Sequence, residues 1–96
     1  MFHAVNSIFF FSDNYAFLGA PGEIYIATLP DVVTASTNLV FTKLIDHGNN
    51  HKTEQMGYDP VGQMLYWVQK AGSGTSNTIS RCDLNGVGRK DLALVG

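Results

Sequence analysis

An internal repeat constrains the fold of this chain more than any other feature of its sequence. Residues 2–13 lie without gaps over residues 58–69, so that Phe10-Phe11 falls on Tyr66-Trp67, 56 residues further along the chain. A repeat of this length predicts two copies of one supersecondary unit. Such copies stack on each other, because neither copy can bury its apolar face alone.

Each copy also contains short apolar runs that are separated by turns. The runs 24–29 and 79–84 match between the copies as a second strand in each, and Asn85-Gly86 directly follows the later run. Asn-Gly between apolar runs is a strong hairpin signal because both residues tolerate a positive φ. We therefore predict a tight turn at Asn85-Gly86, between the run 79–84 and residues 90–95.

The run 63–69 lies between two turn signals and predicts a strand with antiparallel partners on both sides and with Trp67 mostly buried. Further runs at 39–45 and 53–59 bring the copies to about four short strands each, and no clear helical period is present. Four strands in roughly 30–50 residues are typical of a β-propeller blade. The sequence therefore predicts an all-β fold of two four-stranded antiparallel blades.

The second copy carries a longer motif around its aromatic pair. Asp59-Pro60, Gly62 and Tyr66-Trp67 are followed by Ile-x-Arg and then by Leu-Asn-Gly. This pattern resembles the YWTD repeat, which is also called the class B repeat of the low-density-lipoprotein receptor, and the first copy is similar to it in a weaker form. The motif positions in the two copies are Phe10, Phe11, Ser12, Asp13, Tyr66, Trp67, Ile79, Arg81, Leu84, Asn85 and Gly86.

The resemblance implies a six-bladed β-propeller, of which this chain would supply two blades that are incomplete at both ends. The first blade would comprise residues 1–46 and lack part of its first strand. The second would comprise residues 47–96 and lack part of its last strand. Two blades would leave apolar faces open, so we expect the isolated chain to associate or to remain partly unfolded. Three copies in one ring are the alternative to a piece of a longer propeller.

Two positions depart from the motif. Gln69 stands where the motif has Asp, and Ile26 stands where the first copy would have Arg. If the Asp and Arg positions face each other across neighbouring strands, neither copy can form that ion pair. A hydrogen bond from Arg81 to Gln69 would then replace part of the loss.

The composition excludes several classes of function. A net charge of −2, with only six Lys and Arg residues in 96, leaves no basic surface for nucleic acid. No apolar run approaches the roughly 20 residues of a membrane helix, so we expect no membrane insertion in this segment. Cys82 is the only cysteine and can form no internal disulfide. We predict that it is a buried and inert thiol.

No cluster in the sequence forms a complete catalytic or metal-binding motif. His47 and His51 lie four residues apart in a polar loop, and no further ligand completes a zinc site. Nothing in the sequence brings Asp59 and Asp83 together as catalytic carboxylates. Residues 72–74 form neither a nucleophile elbow nor a phosphate loop. We expect no cofactor, no metal and no enzyme activity.

By resemblance, we expect a protein-binding and spacing module on the cell surface or outside the cell. Its partners would be the remaining blades of the parent chain, or other copies of this one, together with protein ligands. Two alternatives come from other classes of protein: part of a six-bladed enzyme of the lactonase or strictosidine-synthase kind, which calcium binding would favour, and a small trimeric propeller lectin, which a threefold mass would favour.

Overall fold

The computed structural model describes residues 8–34, 36–46, 51–71 and 77–95, with only the backbone described at 51, 71 and 93–95. Within these ranges the protein is all-β, and its strands form two four-stranded antiparallel sheets, which confirms that part of the prediction. No helix occurs there, and hence none that is long and apolar enough to cross a membrane. The strands are β1 (Ile8–Phe11), β2 (Tyr15–Ala20), β3 (Glu23–Thr28), β4 (Thr42–Asp46), β5 (His51–Asp59), β6 (Met64–Ala71), β7 (Asn77–Asp83) and β8 (Lys90–Val95).

Each sheet is a simple meander. The order is β1-β2-β3-β4 in the first sheet and β5-β6-β7-β8 in the second, so every strand pairs only with its neighbours in the chain. Antiparallel neighbours need only a tight connection, such as the two residues between β2 and β3, although residues 29–41 join β3 to β4. The strand predicted at 63–69 is β6, which has an antiparallel partner on each side, as expected.

The two sheets repeat each other down to an irregularity in the last strand. The pairing register of the first sheet shifts at Leu44 in β4, and that of the second sheet shifts at Leu92 in β8. Each extra residue lies beside the same position of the third strand, directly after Ile24 in β3 and after Ile79 in β7. A β-bulge is a specific local feature, so the matched pair fixes the correspondence between the sheets.

The sequence repeat aligns Phe10-Phe11 with Tyr66-Trp67, and this alignment differs from the structural correspondence by one strand. Phe10-Phe11 lie in β1, the first strand of their sheet, whereas Tyr66-Trp67 lie in β6, the second. Phe17 in β2 is the equivalent of Tyr66, because it pairs with Ile26 as Tyr66 pairs with the matching residue of β7. The runs 24–29 and 79–84 do match, but they fall on the third strands.

The connections explain why no single spacing aligns all the strands. Two residues join β2 to β3, whereas residues 72–76 join β6 to β7. No strand was predicted at β2, because Ala16, Gly19 and Ala20 have low strand propensity. Packing against the second sheet explains Gly19, whereas Ala16 lies on the opposite face, where it pairs with Phe11. A Cβ added at Gly19 would lie 2.8 Å from Cγ2 of Thr53 in β5, so only a small residue fits there.

The main core lies between the two sheets. Every second residue of β2 and β6 points into it, and Phe17, Leu65 and Trp67 are at most 1% exposed. This confirms the prediction that Trp67 is buried. Tyr58 of β5 makes aromatic contacts with both Tyr15 and Phe17 of β2, at centroid distances of 5.8 and 5.6 Å. The core residues are Phe17, Ile24, Ile45, Leu65, Trp67 and Cys82, with Phe10, Tyr15, Ile26, Leu44, Met56, Tyr58 and Leu84 packed around them.

Candidate functional site

The face of the first sheet that points away from the core carries exposed aromatic rings. Phe9 and Phe11 are 52% and 59% exposed, and their rings stack nearly parallel with centroids 6.3 Å apart. Phe41, which comes just before β4, contacts Phe9 edge-on and covers part of this face. Phe9 and Phe11 together are called the aromatic knob below. Large exposed aromatic side chains in contact with each other are typical of an interaction surface.

A polar border flanks the aromatic knob on the same face. Tyr25 donates a hydrogen bond of 2.6 Å to Glu23, and the ammonium of Lys43 lies 2.6 Å from the other carboxylate oxygen of Glu23. The hydrogen bond to Glu23 raises the pKa of Tyr25, and the same carboxylate raises the pKa of Lys43. This ion pair is solvent-accessible and contributes little stability, so its effect is to keep the border polar.

The outward face of the second sheet contains a groove of about 280 Å³. Gly57 is one of the residues that line it, and a Cβ added there would meet no atom within 4 Å. Gly57 occupies the position of Phe10 in the first sheet, because Gly57 pairs with Tyr66 as Phe10 pairs with Phe17. The groove is therefore open where the first sheet has an aromatic ring. Its lining is Gln55, Met56, Gly57, Tyr66, Trp67, Val68 and Ile79.

Arg81 lies on the same face as the groove, opposite Tyr66 across the β6–β7 pair. Its Nε atom is buried and has no hydrogen-bond partner among the described residues. A buried donor without an acceptor is uncommon and costs free energy. The face that carries the groove therefore also carries one donor that an incoming acceptor could satisfy.

The suggested hydrogen bond between Gln69 and Arg81 is wrong. Gln69 and Arg81 lie on opposite faces of the second sheet, because Gln69 pairs with Thr78 while Arg81 pairs with Tyr66. Side chains alternate between the faces of a sheet, so positions three apart in the pairing cannot meet. The Gln69 carbonyl oxygen instead accepts a hydrogen bond of 2.8 Å from Nε1 of the buried Trp67.

Gln69 also connects the core to the β7–β8 side of the sheet. Its carbonyl oxygen lies 3.5 Å from Nη2 of Arg89, and the same guanidinium is 3.9 Å from Asp91. Asp91 accepts a hydrogen bond of 2.6 Å from Ser80, which is fully buried. This network satisfies the polar atoms at the edge of the core, and it gives Gln69 a structural reason to stand at the motif position.

The predicted turn at Asn85-Gly86 is confirmed and is held by a carboxylate. Asp83 Oδ1 accepts hydrogen bonds from the backbone amides of Asn85 and Val87, at 2.8 and 2.9 Å. Gly86 has φ of 76°, which favours glycine. A Cβ at Gly86 would overlap the carbonyl oxygen of Leu44 in the other sheet, so the turn also forms part of the contact between the sheets.

The two aspartates that the sequence left apart lie in one row of the second sheet. Asp59 and Asp83 both pair with Met64, from opposite sides. Two strand spacings of roughly 4.8 Å therefore separate their backbones. Each carboxylate accepts from a turn amide, Asp59 from Val61 at 3.0 Å and Asp83 as described above. Each of the two carboxylates therefore stabilises the turn that follows its strand.

A second cavity, of about 250 Å³, lies between the first turns of the two sheets. Ser12 caps the first of these turns, because its hydroxyl accepts a hydrogen bond from the amide of Tyr15 at 3.1 Å. Burial raises the pKa of Tyr58, with smaller contributions from Tyr15 and Asp59, so its hydroxyl stays protonated at neutral pH. The cavity is lined by Ser12, Asp13, Asn14, Tyr58 and Pro60.

Several of the remaining predicted candidates lie outside the described residues. His47 and residues 72–76 lie outside the described residues, and at His51 only the backbone is described, as the first residue of β5. Burial raises the pKa of the Cys82 thiol to about 12, so at neutral pH it is a protonated core group. Among the described residues, no group of three or more His, Cys, Asp or Glu could hold a metal ion.

The motif residues thus divide by location rather than forming one site. Phe10, Trp67 and Leu84 belong to the core or its edge, Ser12, Asp13, Asn85 and Gly86 to turns, and Phe11, Tyr66, Ile79 and Arg81 to the outward faces. Gly57 was missed because it is not a motif position, whereas open apolar faces were expected, and the exposed rings of Phe9 and Phe11 lie on one of them. Comparison with family models, with curated proteins and with solved structures found no match.

Proposed function

We propose that the chain is a two-blade segment of a YWTD-type β-propeller and acts as a protein-binding and spacing module at the cell surface or outside the cell. The repeat of one four-stranded meander, with a matching bulge at Leu44 and Leu92, is the observation that carries this proposal. A unit that repeats with the same internal irregularity is typical of architectures that extend by stacking further units.

The two outward faces support the proposal, because a stacked blade needs contacts on both sides. One face carries the exposed aromatic knob, and the other carries the groove over Gly57. An isolated two-sheet protein gains nothing from either surface. A protein that packs further blades, or a protein ligand, against them gains the free energy of burying that apolar area, at about 25 cal/mol per Å².

The proposal predicts that six sheets in one polypeptide close into a ring. We would join three copies of residues 1–96 with flexible linkers and compare them with two joined copies, which cannot close. The expected result is a compact monomer that melts in one cooperative transition, above the melting temperature of the two-copy protein. The propeller would be contradicted if the three joined copies fold as separate units. They would then show the large hydrodynamic radius of a flexibly linked chain and an unchanged melting temperature.

A further inference from the structure

We propose that the aromatic knob of one copy of this chain inserts into the groove over Gly57 of a second copy. This inference rests on the proposed function for the biological role of the contact, but the residues that support the contact are independent of that role. It assigns a binding partner, a second copy in head-to-tail orientation, to the two outward faces.

The contact inside the chain supplies the pattern. Where the two sheets meet, Met56 and Tyr58 of β5 point from the second sheet toward the first, and Tyr58 packs on Tyr15 and Phe17. The pairing registers identify the residues of the first sheet that correspond to Met56 and Tyr58. Phe9 corresponds to Met56 and Phe11 corresponds to Tyr58.

The receiving face follows from the same correspondence. Tyr58 meets Phe17, and the equivalent of Phe17 in the second sheet is Tyr66, which borders the groove. If a second copy repeats the internal contact, its Phe11 packs on Tyr66. Its Phe9, which is stacked on Phe11 and two residues earlier in the strand, then lies on the face whose groove Tyr66 and Gly57 line. The knob and the groove therefore occupy the positions in the two sheets that the internal contact would pair.

The size and chemistry of the two surfaces also match. The groove has a volume of about 280 Å³, and a cavity of roughly 150 Å³ is enough to bind benzene. Val68, Ile79 and the ring of Tyr66 provide apolar walls. The buried Nε of Arg81 on the same face could donate to an acceptor of the incoming copy. In this head-to-tail contact the two surfaces differ, so association continues until a ring closes.

Two variants test the contact without touching the core. Phe9→Ser with Phe11→Ser removes the knob, and Gly57→Lys fills the groove, where an added Cβ meets no atom. The matched control is Val61→Ser with Val87→Ser, which removes two exposed apolar side chains from turns on neither face. Fluorescence of Trp67 checks that each variant keeps its core. Mass would be measured by light scattering over a series of protein concentrations.

The expected result is that the unaltered chain and the control associate, while each variant alone binds at least about thirtyfold more weakly, as expected for loss of a central aromatic anchor. Mixing the two variants should restore a one-to-one pair, because the intact groove of one copy can still receive the intact knob of the other. A monomeric unaltered chain would overturn the proposal. So would loss in only one of the two variants, or a mixture that stays monomeric.

The outcome separates this contact from the proposed function. Ring closure by three joined copies, without knob-dependent pairing of single copies, would retain the propeller and reject the knob-and-groove contact. Pairing of single copies, with joined copies that fail to close, would retain the contact and reject the propeller.

Discussion

The contact between the last hairpin and the first sheet can be measured as the difference in stability cost between two glycine substitutions. Gly86 and Gly88 lie in the same connection and have nearly the same backbone conformation, with φ of 76° and 71°. They differ in their surroundings. A Cβ at Gly86 would overlap the carbonyl oxygen of Leu44 and lie 3.3 Å from its carbonyl carbon, whereas a Cβ at Gly88 would meet no atom within 4 Å.

The expected cost of each alanine substitution follows from this difference. Gly88→Ala forces a residue with a Cβ to keep a positive φ, which costs about 1 kcal/mol. Gly86→Ala costs the same and also forces the turn away from β4. Because the overlapping atom belongs to the backbone, no side-chain rotation relieves the clash, and overpacking of this kind adds about 1–3 kcal/mol. We therefore expect a total loss of about 2–4 kcal/mol for Gly86→Ala.

Equilibrium unfolding in urea, followed by fluorescence, would measure both losses. Trp67 is the only tryptophan and is 1% exposed in the core between the sheets, so its emission reports on that core. Both variants would be compared with the unaltered protein at one concentration, since association also affects apparent stability. Equal losses for Gly86→Ala and Gly88→Ala would refute the reasoning, because the hairpin tip would then not touch the first sheet.

Three further predictions concern the packing between the sheets and the protonation of the Cys82 thiol. Gln69→Leu should lower the free energy of unfolding by about 1 kcal/mol, since it removes the acceptor that Trp67 Nε1 uses, and an unchanged urea midpoint would count against that hydrogen bond. Gly19→Ala should lower the free energy of unfolding by about 1–3 kcal/mol, because the added Cβ meets Cγ2 of Thr53. Adding Thr53→Ser removes Cγ2 and should recover part of that loss; if the double variant is no more stable than Gly19→Ala, the strain does not arise from Thr53. Burial raises the pKa of Cys82 from 9.0 to about 12, so the unfolded chain loses the thiol proton first and the stabilisation present below pH 9 declines as the pH rises. Between pH 8 and pH 10 the unaltered protein should lose roughly 1 kcal/mol more than Cys82→Ala, and parallel pH profiles would show that the thiol is not buried.

Local signals in the sequence were enough to predict several elements. The alternation around Trp67 gave β6 and its buried face, and Asn85-Gly86 gave the last hairpin, because both patterns act over a few residues. The burial of Cys82 followed from its place in an apolar run. In each case neighbouring residues in the sequence are also neighbours in the sheet.

The strands that were misplaced depend on contacts that are remote in sequence. The glycine at position 19 in β2 is explained only by the approach of Thr53, which lies more than thirty residues away in the sequence. The repeat was then aligned on its most conspicuous feature, the aromatic pairs, although Phe10-Phe11 belong to a different strand of the sheet from Tyr66-Trp67. The groove, and its correspondence to the knob, could not be predicted for the same reason, because that correspondence appears only through the pairing registers.

The meander order of both sheets has a consequence for how the chain reaches its native state. Because every strand pairs with its neighbour in the chain, each sheet can form from local contacts, and local contacts form quickly. Among the described strands, no strand of one sheet is hydrogen-bonded to a strand of the other, so the docking of the sheets through Phe17, Tyr58 and Trp67 is a separate step. We expect folding in two stages, with amide protons inside each sheet protected from hydrogen exchange before the tryptophan becomes buried.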